Sequence, residues 1–220
     1  MADFTVIGPA HVATLCLPLH AEEPCGDAAM AFALDGAPVD ALLLLADGLG
    51  HGPHAAQAAQ AAVATVAAHP TMPLPELMLT LDDALRHTRG AAIGLMRVEA
   101  TPQGGRLAFV GVGNTRALRW RGAALQRLAS QYGVVGGGVA RPVAVQTLDL
   151  LPGDWVLMFS DGLDERLELP APLPEWQRDP GLLCAHLARR WRQGADDIGV
   201  LACHWPAQAD LADRAERGGC

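Results

Sequence analysis

Residues 41–50 read ALLLLADGLG, six apolar residues in an unbroken row followed by an aspartate and glycines. A row with no polar break has no wet face, and at this length it suits a strand buried on both sides. Such a strand needs a layer above it and a layer below it. The apolar runs of the chain fall far short of the roughly 20 residues that span a bilayer, so no transmembrane helix is expected.

Turn residues follow the run, and then PHAAQAAQAAVATVAAH, where Pro53 suits a first helical turn and the alanines predict a helix over 53–69. Leu77, Leu81 and Leu85 recur at i+4 and predict a second helix over 75–88. From residue 91 the pattern changes to short apolar stretches separated by turns, which predicts antiparallel strands in AAIGLMRVEA, GRLAFVGVG, TRALRWRG and AALQRLA. Further strands are expected over 143–148, in WVLMFS and in IGVLACHW, with short strands at 5–17 and 28–34 and a helix over 181–192. The proline-rich piece 167–180 reads as an irregular loop, and GVVGGG (133–138) as a flexible one, because it lacks the lysine and helix of a phosphate cradle. Runs of strands with paired helices predict an α+β fold in which helices cover sheets. The 220 residues suit a single domain over 1–206 with a polar tail at 207–220.

Composition removes several classes. All 16 basic residues are arginine, so no lysine is present for a Walker-type phosphate loop, a kinase ATP site or a Schiff base. A net charge of −8 argues against general binding to nucleic acid or anionic membrane. Cys16, Cys25, Cys184, Cys203 and Cys220 are odd in number and scattered, which predicts free thiols. The first residues lack a basic segment followed by an apolar one, so no secretory signal is read and a cytoplasmic home is expected.

Against that background the acids stand out by position. Asp47 follows LLLLA, Asp161 follows VLMFS, and Asp196 and Asp197 precede IGVLAC. One acid at a strand end is ordinarily a turn or cap residue. Several brought together repel one another unless protons or cations intervene, and a hard divalent cation with oxygen ligands is the economical partner.

Five pieces in order, CGD (25–27), ADGLGHG (46–52), GVGNTRAL (111–118), FSDGL (159–163) and ADDIGVL (195–201), resemble the metal-dependent protein phosphatases of the type 2C class. The likeness is to their bacterial sporulation-stage-II-E branch, especially its short stand-alone members in stress signalling. It implies a four-layer α/β/β/α sandwich with two central antiparallel sheets flanked by helices. It also implies two ions, Mn²⁺ or Mg²⁺, with Asp47 bridging them, the Gly48 carbonyl and Asp27 completing one shell, and Asp161 and Asp196 holding the other. Asp196 is preferred to Asp197 because the first position of that pair is the family's ligand. The likeness further implies that two such ions, about 4 Å apart, would acidify a bridging water, and that the resulting hydroxide would attack phosphorus directly. The aspartyl-nucleophile phosphatases are a poor match, since Asp47 is followed by Gly48 and Leu49 rather than by a D-x-D start.

Where many eukaryotic relatives place a general-acid histidine directly after DG, this chain has Leu49. Two readings of His51 stand: it protonates the leaving oxygen, or it only occupies a tight turn. No arginine lies near CGD, so none is assigned to substrate phosphate, and Asn114 is given no chemistry. The implied activity is serine/threonine phosphatase action on phosphorylated partner-switching or stressosome-type signalling proteins. Its rivals are a catalytically weak phosphoprotein-docking module and a metal-dependent hydrolase of small phosphoesters. Length alone leaves no room for a sensor domain beside the catalytic one.

Overall fold

A computed structural model describes residues 2–34, 40–139 and 142–206, so the tail at 207–220, with Cys220, lies outside the described residues. The elements run β1 (Asp3–Ile7), β2 (Ala10–Leu17), β3 (Asp27–Leu34), β4 (Asp40–Gly48), α1 (Pro53–Ala68) and α2 (Leu74–Ala84). Then follow β5 (Ala91–Thr101), β6 (Gly104–Val112), β7 (Arg116–Arg121), β8 (Ala124–Leu128), β9 (Gln146–Leu150) and β10 (Trp155–Phe159). The last are α3 (Pro174–Arg178), α4 (Pro180–Trp191) and β11 (Ile198–His204). One sheet has the order β1-β2-β11-β10-β7-β8 and the other β3-β4-β5-β6-β9, all pairs antiparallel.

The apolar row 41–46 explains the layering. Side chains alternate across a strand, so Leu43 and Leu45 enter a cluster with Val12, Val156, Met158 and Leu201 of the facing sheet. Leu42, Leu44 and Ala46 instead meet Ala58, Ala62, Leu77 and Leu81 of α1 and α2. All four leucines are 0% exposed, and burying each contributes roughly 2 kcal/mol. On the far side α4 covers the other sheet through Leu183 and Leu187, which pack on Trp155, Leu157 and Phe159. The result is helix, sheet, sheet, helix, the four layers expected.

Local differences from the sequence expectations have physical causes. The stretch 5–17 is two strands folded back through Gly8, whose φ of 56° suits the tight turn. The second helix stops at Ala84 rather than at 88, because the Thr88 amide and hydroxyl both turn back to the Leu85 carbonyl, at 2.9 and 2.7 Å. Within the proline-rich piece, Pro174 opens α3, which drives Trp176 into the core beneath α4. The ninth strand begins at Gln146 and not at 143; the Gln146 side chain exchanges two hydrogen bonds with the Ala129 backbone and continues the pairing sideways. Nor is the loop at 133–138 free: Val135 is buried and exchanges backbone bonds with Ala91, and Asp82 Oδ1 accepts from the amides of Gly136 and Gly138.

Candidate metal centre

Antiparallel pairing sets the end of β4 beside the start of β3, and register places Asp27 opposite Asp47. Directly opposed side chains share a face, with Cβ atoms about 5 Å apart. In the facing sheet the end of β10 lies beside the start of β11, which brings Asp161 to the side of Asp196 and Asp197. Ser160 joins the two sheets here: its hydroxyl donates to Asp27 Oδ2 at 2.6 Å and accepts from the Gly199 amide at 2.9 Å. The close approach of α1 requires Gly48, since a Cβ at that position would overlap the backbone carbonyl of Ala55.

The electrostatics follow from this crowding. Burial first, and then the charges of Asp27, Asp161, Asp196 and Asp197, push the Asp47 carboxyl up to about 9. Asp27 is pushed up to about 7, again first by burial, with the Ser160 hydrogen bond opposing and the charges of Asp197, Asp196 and Asp161 adding. Asp196 is also raised, by burial and by Asp161 and Asp197, while its bond from the Asp197 amide and the nearby His51 act the other way. Asp47 Oδ2 is buried and has no hydrogen-bond partner. A buried carboxylate oxygen without a donor is costly, and here its neighbours are further carboxylates.

The remaining predicted residues divide by what holds them. Asp197 is a structural clamp: one oxygen accepts from the Leu19 amide at 2.5 Å and the other from the Gly26 amide at 2.6 Å. Asp196 has no such clamp. Asp161 is exposed, and Asn114 Nδ2 donates to its Oδ2 at 2.5 Å. Sequence reasoning misses both Asn114 and Ser160, although each lies inside a motif it quotes. His51 is half exposed, its Nδ1 3.2 Å from Glu23 Oε2 and its ring edge-on to His20 at 5.7 Å. Beside Asp161 a cavity of about 420 Å³ opens, lined by Arg116, Asp164, Glu165, Arg166 and Gln193. Arg116 is held there by the Asn114 carbonyl and by Glu165.

Among the described residues, no three His, Cys, Asp or Glu side chains already close a cage around one ion. The acids act on one another through space without converging. The donor set nevertheless fits hard cations: every candidate side chain is a carboxylate, and Asp47 offers a desolvated oxygen with no other use.

The family model described as Stage II sporulation protein E (SpoIIE) matches residues 38–206. This chain belongs to the SpoIIE family. It is therefore a member of an enzyme family, the PP2C-type phosphatases. A bacterial stressosome chain, described as part of a modular system adapted to control secondary messenger signalling, is 25% identical with a TM-score of 0.77. That alignment covers 89% of this chain and 99% of that one. RsbX in complex with magnesium is 17% identical over 92% of this chain and 98% of its own, with a TM-score of 0.74. The SpoIIE phosphatase domain of Bacillus subtilis, with a regulatory fragment, gives 18%, 93%, 64% and 0.71 in the same order. At those identities the last two likenesses are of fold. No curated protein sequence matches the chain.

Proposed function

We propose that this SpoIIE-family chain is a Mn²⁺- or Mg²⁺-dependent serine/threonine protein phosphatase. Its substrates are phosphorylated signalling proteins of the partner-switching or stressosome type, met in the cytoplasm. The observation that carries this reading is Asp47 Oδ2, buried without a donor among four other carboxylates. Asp47 would bridge two ions, with Asp27 and the Gly48 carbonyl on one and Asp161 and Asp196 on the other. Two divalent cations there supply Lewis acidity, lowering the pKa of water and neutralising phosphoryl charge.

The chain's own residues do the rest. Ser160 holds Asp27 in one orientation, and Asn114 does the same for Asp161. Arg116 sets a guanidinium at the cavity beside Asp161, where a phosphoryl group needs positive charge and forked donors. His51, oriented by Glu23, delivers the proton to the leaving serine or threonine oxygen. No carboxylate need act as the nucleophile, so no phosphoenzyme forms. Support for the substrate class comes from the stressosome chain, the nearest in identity of the three above. No helix of the described residues is long and apolar enough to cross a membrane.

The experiment is phosphate release from a phosphoserine protein with Mn²⁺, with EDTA and in Asp47→Asn. The proposal expects turnover that needs metal and collapses in the folded variant. Turnover that persists in EDTA contradicts the metal reading. Equal turnover on small phosphoesters contradicts the protein-substrate reading.

A further inference from the structure

Leu49 stands directly after Asp47 and Gly48, where the chain leaves the acid centre, and it is 39% exposed. It lines a second cavity, of about 440 Å³, together with Ala92, Val134 and the fully exposed Tyr132. Asn114 and Arg116 belong to the same lining. Arg116 also lines the cavity beside Asp161, and Asn114 donates to Asp161, so the two cavities adjoin at this pair.

Backbone bonds hold the walls of the second cavity in place. The Leu49 amide donates to the Gly90 carbonyl at 3.1 Å, and the Gly113 amide to the Gln131 carbonyl at 2.9 Å. Ala91 and Val135 exchange bonds of 3.0 and 2.9 Å behind them. The closest approach requires Gly113, which has a φ of 94° and where a Cβ would lie 2.5 Å from the Ala92 Cβ. The polar side chains of the lining are also engaged: Asn114 with Asp161, and Arg116 with the Asn114 carbonyl and Glu165. What the cavity offers a ligand is the apolar surface of Leu49, Ala92, Val134 and the Tyr132 ring. Covering such a surface is favourable, whereas a carboxylate placed on it loses water without gaining a partner.

We propose that this cavity is a substrate subsite, taking a large apolar side chain within two residues of the phosphoserine or phosphothreonine. The occupant follows from the shared Arg116. With the phosphoryl group in the cavity beside Asp161, the adjoining cavity lies along the path of the flanking chain, which advances about 3.3 Å per residue when extended. The phosphoryl position is that of the function proposed above, and the subsite rests on it. A small phosphoester has no flank to place there, so the subsite gives the site a physical reason to prefer proteins.

The test is kcat/KM with Mn²⁺ on phosphoserine peptides that carry Leu or Asp in turn at each position within two residues of the phosphoserine. The expected result is a preference for Leu over Asp of about tenfold or more at one position, kept in Tyr132→Phe and falling toward parity in Tyr132→Ala. A ratio taken within one variant cancels any general loss of activity, and Tyr132, being fully exposed, holds no packing that its removal would break. Turnover without preference at any position, or a preference that Tyr132→Ala retains in full, overturns the subsite and leaves the phosphatase reading standing. If no peptide is turned over, fluorescence anisotropy of the same peptides carrying fluorescein decides. Binding that prefers Leu and loses the preference in Tyr132→Ala upholds the subsite while the proposed activity fails. Binding without preference, or no binding, then overturns both. A dimer that Tyr132→Ala dissolves, with no peptide preference, gives the cavity to a second copy of the chain and overturns the subsite.

Discussion

Strand β10 carries an aspartate beyond each end, and the two have opposite fates. Before it, Asp154 is 0% exposed and fully partnered, with Arg121 Nε and NH2 at 2.5 and 2.6 Å and the Leu151 amide at 2.9 Å. The same pair raises the Arg121 guanidinium. After the strand, Asp161 adds its charge to the field on Asp196, Asp27 and Asp47, and no arginine bonds to any of the four among the described residues. One end of the fold spends its acid on structure, and the other gathers acids that the polypeptide alone cannot satisfy. The lesson is that an acid's role follows from whether its oxygens already have donors.

The largest effect expected at the unsatisfied end comes from Asp47→Asn. Phosphatase activity should fall by about a thousand-fold or more, measured as phosphate release with circular dichroism confirming the fold. Next, His51→Gln should lower kcat about a hundred-fold on phosphoserine but much less on 4-nitrophenyl phosphate, whose leaving group needs no proton. Equal losses on both would remove His51 from proton delivery. Ser160→Ala, which frees Asp27, should weaken Mn²⁺ binding about ten- to a hundred-fold, read by calorimetry.

A pH series sharpens the contrast between the two ends. Asp27 and Asp47 hold their protons more tightly folded than unfolded, where an aspartate titrates near about 4. The chelated protein therefore keeps its full stability below that range. It loses stability as pH rises through about 7 for Asp27 and about 9 for Asp47. Its Tm should be lower at about pH 8 than at about pH 5, and Mn²⁺ should abolish the difference. The smallest effect on chemistry belongs to the satisfied end: Asp154→Ala should cost about 2 kcal/mol of stability, less than a fully buried pair because Arg121 is 38% exposed. Its kcat at a temperature where it is folded should equal that of the unaltered protein.

Local pattern was enough to read the layers. The row at 41–46 demanded cover on two faces, and Leu43 with Leu45 on one side and Leu42 with Leu44 on the other supply it. Elements whose bounds depend on distant partners were harder to read: α3 forms because Trp176 finds a pocket under α4, Val135 is fixed by the Ala91 backbone, and Gly136 and Gly138 are fixed by Asp82, over 50 residues away. At the site, spacing marks strand ends but not which donors reach them. Ser160 and Asp27 are 133 residues apart, and Asn114 and Asp161 are 47 apart, so neither bond leaves a trace in local sequence. Arg116 was missed for the same reason, since it reaches the cavity beside Asp161 through the fold and not through proximity to CGD.

The central claim is that cations resolve the repulsion at one end of the sheets, and Mn²⁺ titration into the chelated protein by isothermal calorimetry tests it directly. The account predicts two ions bound per chain, at most one in Asp47→Asn, and no change in number in Asp154→Ala. A folded protein that binds no Mn²⁺ or Mg²⁺, or an Asp47→Asn variant that still binds two ions, would contradict it.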